Sequence, residues 1–101
     1  MAAAQFSDLP KKAVDEGRRG VLDWLGCALA GSRHPTLDRL LLVLQECGGK
    51  PQATVFGRSL KLGFLEAPIA IGQAGHLLDY DVTHMRGTLL HASSPTLPTL
   101  V

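Results

Sequence analysis

The chain has 101 residues, of which 46% are hydrophobic and 19% are charged, and its formal net charge is +1. This is the length of one ordinary domain, with enough apolar residues to fold. A charge so near neutrality, without basic residues interleaved with aromatic ones, argues against binding to nucleic acids. Glu66 interrupts the longest apolar stretch, and the first residues lack a secretory signal. We therefore expect no membrane span and an intracellular protein, cytoplasmic, with the mitochondrion as the alternative.

The first predicted helix begins near Pro10. The side chains of Ser7 and Asp8 can cap free backbone amides there, and proline suits the first turn of a helix. Apolar residues then recur at helical spacing as far as Gly31, which suits the end of a helix. We expect Trp24 to face the core.

A second helix is predicted to begin at Pro35 and to end at Gly48. The run from Leu40 to Leu44 makes this helix apolar nearly all round, so it should need cover on several sides. After it, residues 52–56 include two β-branched side chains and are predicted to form a short strand or an extended connector.

Helical spacing returns from Leu62 to about Asp81, with Pro68 as a point where the helix can kink or break. The pattern then becomes loop-like as far as Ser93, where a serine pair followed by proline predicts another helix. Since Val101 follows shortly after and leaves this helix no room to finish, we expect the chain to be a fragment.

Two cysteines, Cys27 and Cys47, lie on separate helical patterns without CxxC spacing. The sequence also lacks a secretory signal, so we expect buried free thiols rather than a disulfide.

Residues capable of chemistry concentrate between His76 and Ser94. If residues 76–83 are helical, one face carries the side chains of His76, Asp79, Tyr80 and Thr83. Histidine exchanges protons near neutrality, and a neighbouring carboxylate can fix its tautomer. His84 and His91 could enter the same pocket.

Structural alternatives remain open for several of these residues. His76 could be a core histidine with one hydrogen bond, Asp81 could cap a helix end, and Ser93 or Ser94 could cap the last helix. A metal site built from His76, Asp79, His84 and His91 is conceivable, but the spacing is not a recognised zinc pattern, so we predict no metal.

Several segments, in order along the chain, carry a family resemblance. They are Phe6-x-Asp8-Leu9-Pro10, Leu22-Asp23-Trp24-Leu25-Gly26-Cys27-Ala28-Leu29-Ala30-Gly31-Ser32, Gly48-Gly49, Ala53-Thr54-Val55-x-Gly57, Gly75-His76-Leu77-Leu78-Asp79-Tyr80-Asp81-x-Thr83-His84 and Leu90-His91-x-Ser93. Together they resemble the N-terminal region of the MmgE/PrpD family, which includes 2-methylcitrate dehydratase, cis-aconitate decarboxylase and iminodisuccinate epimerase.

The resemblance implies an all-α, mostly helical fold, with residues 1–101 forming part of a large helical domain. It implies a separate lid domain, a homodimer, and an active site between the domains without a metal or cofactor. The implied chemistry is proton transfer next to a carboxylate of a small di- or tricarboxylic acid, by a lyase or an epimerase route.

The same resemblance places Asp79, Thr83 and His91 at the substrate site, and the chemistry of the side chains suggests their roles. His91 is expected to be the general acid or base, Thr83 a hydrogen-bond donor to a substrate carboxylate, and Asp79 a residue that orients a donor or the loop. His84 and Arg86 are expected to help bind the anionic substrate, although an arginine in a loop can equally be solvated.

The sequence departs from the family pattern at Ile71, Val82 and Ala92. The resemblance demotes His76 towards a scaffold role, and it places further cationic groups and the lid in sequence outside this chain. We therefore expect the isolated chain to have little or no turnover. The alternative is a non-catalytic, truncated helical module that associates through apolar helix faces.

Overall fold

The computed structural model describes residues 5–81 and 91–101, and this part of the chain is mostly helical, which confirms the predicted all-α class. Its elements in chain order are α1 (Lys11–Gly31), α2 (Pro35–Glu46), β1 (Ala53–Thr54), β2 (Lys61–Leu62), α3 (Glu66–His76) and α4 (Ser93–Thr96), with 3₁₀ turns at Phe6–Asp8 and Leu97–Thr99.

The first helix, α1, has nearly the predicted bounds, and Trp24 is only 1% exposed, as expected for a core residue. Its start differs from the prediction, because Pro10 occupies the N-cap and no side chain caps the helix. The carboxylate of Asp8 instead accepts a hydrogen bond from the backbone N–H of Gln5, 2.9 Å away, inside the preceding 3₁₀ turn.

The second helix, α2, begins at Pro35 as predicted, and the imidazole of His34 caps it by accepting a hydrogen bond from the backbone N–H of Thr36 at 3.2 Å. On its outer face, Leu42 and Val43 are 64% and 58% exposed. The described part of the chain therefore covers only one side of this apolar helix.

The two short strands form an antiparallel pair with Ala53 opposite Leu62. The predicted strand within residues 52–56 is thus confirmed. The prediction that a helix begins at Leu62 is wrong, because Leu62 pairs with β1 and is buried in the core at 4% exposure. The helix starts at Glu66 instead.

The third helix, α3, lies at the centre of the fold and contacts α1, α2 and α4. The absence of a side chain at Gly31 lets α1 approach closely, since a Cβ there would lie within 2.1 Å of the carbonyl oxygen of Ala74. Gly75 faces the indole of Trp24 in the same way. These close contacts fix the C-terminal end of α3, where His76 lies.

Both cysteines are free thiols, as predicted. Cys27 is buried, but Cys47 is exposed just after α2, so the expectation that both would be buried is wrong for Cys47. In residues 5–81 and 91–101, no helix combines the length and apolar character needed to cross a membrane.

Candidate functional site

The chain turns sharply after α3, and this turn builds the candidate site. The helix ends at His76, and Asp79 adopts a left-handed backbone conformation with φ of 55°. Aspartate tolerates this conformation better than most residues do. The backbone N–H of Asp79 donates to the carbonyl oxygen of His76 at 3.0 Å. The predicted helix to Asp81 is therefore wrong, and so is the predicted helical face; Tyr80 is 74% exposed.

The turn brings Asp81 back beneath the end of α3, where its side chain is fully buried. Oδ1 of Asp81 lies 3.1 Å from Nδ1 of His76, and Oδ2 accepts a hydrogen bond of 2.8 Å from the hydroxyl of Ser94. An ionised carboxylate can only accept hydrogen bonds, so Nδ1 of His76 must carry the proton of this contact. Asp81 thus connects α3 to α4.

His91 lies on the other side of the same carboxylate. Its Nδ1 is 3.4 Å from Oδ2 of Asp81, and its ring centroid is 4.5 Å from that of His76, with an angle of 64° between the ring planes. Nε2 of His91 is 3.8 Å from Oδ1 of Asp79, whose side chain is 81% exposed. One buried carboxylate therefore lies between two imidazoles, with a second carboxylate at the rim.

The short helix α4 supplies Ser94, but not in the predicted manner. Ala92 occupies the N-cap position and no side chain caps α4, so the prediction that Ser93 or Ser94 caps this helix is wrong. The hydroxyl of Ser94 is directed to Asp81 instead. Gly72 permits this approach, because a Cβ there would lie 2.8 Å from the carbonyl oxygen of Ser94.

The environment of Asp81 favours its charged form. Burial by itself raises the pKa of this carboxyl, but hydrogen bonds from Ser94 and His76 outweigh burial and hold the pKa below its ordinary value. The site therefore contains a fixed negative charge near neutrality. Such a charge orients adjacent imidazoles and favours proton exchange at their far nitrogens.

An open cleft of about 420 Å³ lies against this cluster. Its wall carries both imidazoles, a serine and an amide in an otherwise mainly apolar lining: Pro68, Ile69, Gly72, Gln73, His76, His91, Ser94, Pro95 and Thr99. A small molecule in this cleft can contact two proton-exchanging groups at once.

A cation would also find potential ligands here, since one ligand atom from each of His76, Asp79, Asp81 and His91 lies within 4.8 Å of the others. The oxygens of Asp81 already accept hydrogen bonds from Ser94 and His76, with which a cation would compete. The contacts favour a hydrogen-bonded carboxylate over a metal ligand.

The structure brings two of the five predicted site residues together, His91 and Asp79. Thr83, His84 and Arg86 lie outside the described residues, as does Val82 among the departures from the family pattern. Ile71, another departure, packs in the core with Trp24 and Ala28 and does not line the cleft. The predicted site did not include Asp81, Ser94 or His76.

Sequence spacing indicated only weakly that these three residues belong to one site. His76 and Asp81 are five positions apart, which is not a neighbouring distance on a helix surface. Their contact could be anticipated only by knowing that the helix ends at His76.

The chain matches the MmgE/PrpD N-terminal domain over residues 1–101. No curated protein and no solved structure gives a significant match. The family match spans every residue of the sequence and agrees with its motifs and with the helical fold. The chain therefore belongs to the MmgE/PrpD family, as an N-terminal domain.

Proposed function

We propose that the chain is the N-terminal part of a lyase that acts on small di- or tricarboxylic acids, of the 2-methylcitrate dehydratase or cis-aconitate decarboxylase type. Family membership supports the reaction class. The observation that carries the proposal is the position of His91, on the wall of an open cleft and 3.4 Å from the buried carboxylate of Asp81.

His91 is the proposed general acid or base at the reacting carbon. The general reason is that an imidazole can both accept and return a proton in catalysis. Asp79 at the rim orients a donor or the loop, and Thr83 donates a hydrogen bond to a substrate carboxylate. His84 and Arg86 complete this proposed set as groups that bind the anion.

The charge on the substrate limits what this part of the chain can do alone. A di- or tricarboxylate requires several cationic partners, and the residues that line the cleft in the described part of the chain include no Lys or Arg. We therefore assign the remaining cationic groups to Arg86 and to sequence beyond Val101. The proposal includes no metal and no cofactor.

Turnover of two polypeptides tests this function. The 101-residue chain and a longer polypeptide that continues past Val101 are incubated separately with 2-methylcitrate and with cis-aconitate, and the acids are quantified over time. We expect turnover of at least one acid by the longer polypeptide and little or none by the shorter. Equal inactivity of both polypeptides with both acids would contradict a lyase of this type.

A second candidate function rests on a separate observation, the large hydrophobic side chains that the described part of the chain leaves exposed. They are Phe6, Leu9, Val21, Leu22, Leu29, Leu42, Val43, Phe64, Leu65, Ile69, Tyr80, Leu100 and Val101. In this alternative the chain is a non-catalytic helical module that associates through these faces, with itself or with another chain.

The oligomeric state measures that association. Size-exclusion chromatography at several protein concentrations should show dimers or larger species whose share rises with concentration. A monomer at every concentration would contradict association of the chain with itself through its apolar faces. Within the lyase proposal, the same surfaces would support the homodimer expected of the full protein, in an intracellular compartment.

A further inference from the structure

We infer that His76 is a second proton-transfer residue of the cleft, beside His91, and that Asp81 positions both imidazoles. The inference rests on the proposed lyase function and extends it to a residue that the family resemblance places in the scaffold. It also assigns to Asp81 the orientation of the two imidazoles, a role separate from the one proposed for Asp79.

One nitrogen of the His76 ring contacts Asp81, and the rest of the ring is partly exposed. Nδ1 lies 3.1 Å from the buried Oδ1 of Asp81, so Nε2 points away from that carboxylate. The side chain of His76 is 46% exposed and forms part of the cleft wall. A histidine that served only as a buried scaffold would not leave nearly half of its side chain exposed. The neutral ring therefore has a proton-accepting Nε2 that a ligand can reach.

The second imidazole completes a pair around one charge. His91 lies 3.4 Å from Oδ2 of Asp81, and its ring is 4.5 Å from that of His76, centroid to centroid. Both rings contribute to the same cleft wall. A substrate of a few carbon atoms can thus meet one imidazole at the carbon that loses a proton and the other at its leaving group.

Burial explains why Asp81, and not Asp79, is the residue that positions the two imidazoles. The side chain of Asp81 is fully buried and is held by Ser94 at 2.8 Å, whereas that of Asp79 is 81% exposed and lies 3.8 Å from His91. A carboxylate fixed by its own hydrogen bonds holds an imidazole in one orientation and one tautomer.

In the elimination of water from a hydroxy acid, one imidazole would act as the base and the other as the acid. The C–H bond next to the substrate carboxylate breaks, and its proton goes to Nε2 of His91. The electron pair forms the carbon–carbon double bond as the C–O bond breaks, and the leaving hydroxyl takes a proton from Nε2 of protonated His76, which gives water. His91 then loses a proton and His76 regains one by exchange with solvent, so the step balances without an oxidant or reductant.

The tautomer of His76 can be measured on the 101-residue chain itself. Nitrogen-15 NMR of histidine-labelled protein at about pH 8, where an ordinary imidazole is neutral, distinguishes a proton on Nδ1 from one on Nε2. We expect His76 in the Nδ1–H form in the wild-type chain and a mixture of forms in Asp81→Asn. A wild-type His76 in the Nε2–H form, or a tautomer ratio unchanged by Asp81→Asn, overturns the role of Asp81.

A conservative variant separates proton transfer from support of the fold. In His76→Asn the side-chain amide nitrogen occupies the position of Nδ1 and can still donate to Asp81, but no group replaces Nε2. In the longer polypeptide we expect kcat to fall by about 10²- to 10⁴-fold, the usual contribution of general acid–base catalysis, with little change in KM. His34→Asn, at the cap of α2, is the matched control and should leave both constants unchanged.

The outcomes distinguish this inference from the proposed function. Full turnover in His76→Asn, or a rise in KM with unchanged kcat, overturns proton transfer by His76 while the lyase proposal stands. If the wild-type longer polypeptide turns over neither acid, the lyase proposal and proton transfer by His76 both fail. Positioning by Asp81 is then decided by the NMR measurement alone.

Discussion

Nδ1 of His76 lies 3.1 Å from Oδ1 of Asp81, although the two residues are separated by the end of a helix and a left-handed turn. This contact places a buried negative charge at the base of the cleft, and Ser94 holds the same carboxylate from α4. The geometry of the site therefore depends on where α3 ends.

Asp81→Asn should lower the stability of the fold. The amide replaces one acceptor oxygen, so the hydroxyl of Ser94 or Nδ1 of His76 loses its acceptor in a buried site. The expected loss in the free energy of unfolding is about 1–3 kcal/mol, measured by urea denaturation at neutral pH. Asp79→Asn is the matched control, because Asp79 is exposed and asparagine also tolerates a positive φ; its effect should stay within about 0.5 kcal/mol. Equal losses in the two variants would contradict the special position of Asp81.

Stability should fall on acidification in a way that depends on Asp81. Its pKa in the folded chain is lowered, because hydrogen bonds from Ser94 and His76 outweigh burial, which by itself raises that pKa. A carboxylate of this kind stabilises the fold above its unfolded pKa of about 3.9 and loses that contribution as the pH falls through its folded pKa. The unfolding free energy of the wild type should therefore drop more steeply below about pH 4 than that of Asp81→Asn. Parallel curves for the two proteins would contradict the lowered pKa.

Two glycines of α1 should respond in opposite directions to alanine. A Cβ at Gly31 would lie within 2.1 Å of the carbonyl oxygen of Ala74, so Gly31→Ala must separate α1 from α3. We expect a loss of about 1–3 kcal/mol, as for other overpacked sites. Gly17 is exposed, and a Cβ there meets no atom of another described element within 4 Å. Gly17→Ala should raise stability by about 0.5–1 kcal/mol through helix propensity.

Thermal unfolding followed by circular dichroism reports both substitutions. A raised melting temperature in Gly31→Ala, or a lowered one in Gly17→Ala, would contradict the close approach of α1 to α3 at Gly31 and the open surroundings of Gly17.

The two thiols should differ in reactivity. Burial raises the pKa of Cys27, and the negative charges of Asp23 and Asp81 raise it further, whereas Cys47 is exposed. Because the thiolate is the reactive form, a thiol reagent near neutral pH should modify Cys47 rapidly and Cys27 only after denaturation in guanidinium. Cys47→Ser isolates the slow thiol, and rapid labelling of native Cys47→Ser protein would show that Cys27 is accessible.

Helix periodicity and proline and glycine signals predicted α1 and α2 closely, because those signals are local. The end of α3 could not be predicted in this way. Leu77, Leu78 and Tyr80 continue the apolar pattern, but the helix ends at His76, and Asp81 contacts Ser94, which comes 13 positions later. The same tertiary contact explains the wrong cap assignment for Ser94, since its hydroxyl suits a cap and a buried carboxylate equally well. The family resemblance singled out His91 as a candidate, but the carboxylate of Asp81 beside it could be recognised only from the fold.

Replacement of His91 in the longer polypeptide tests the central claim most directly. His91→Ala should reduce kcat with 2-methylcitrate or cis-aconitate by about 10²-fold or more, since it removes the proposed general acid or base. His34→Asn is measured in parallel and should retain wild-type turnover. Near-normal turnover in His91→Ala, with the fold intact by circular dichroism, would contradict the assigned role of His91.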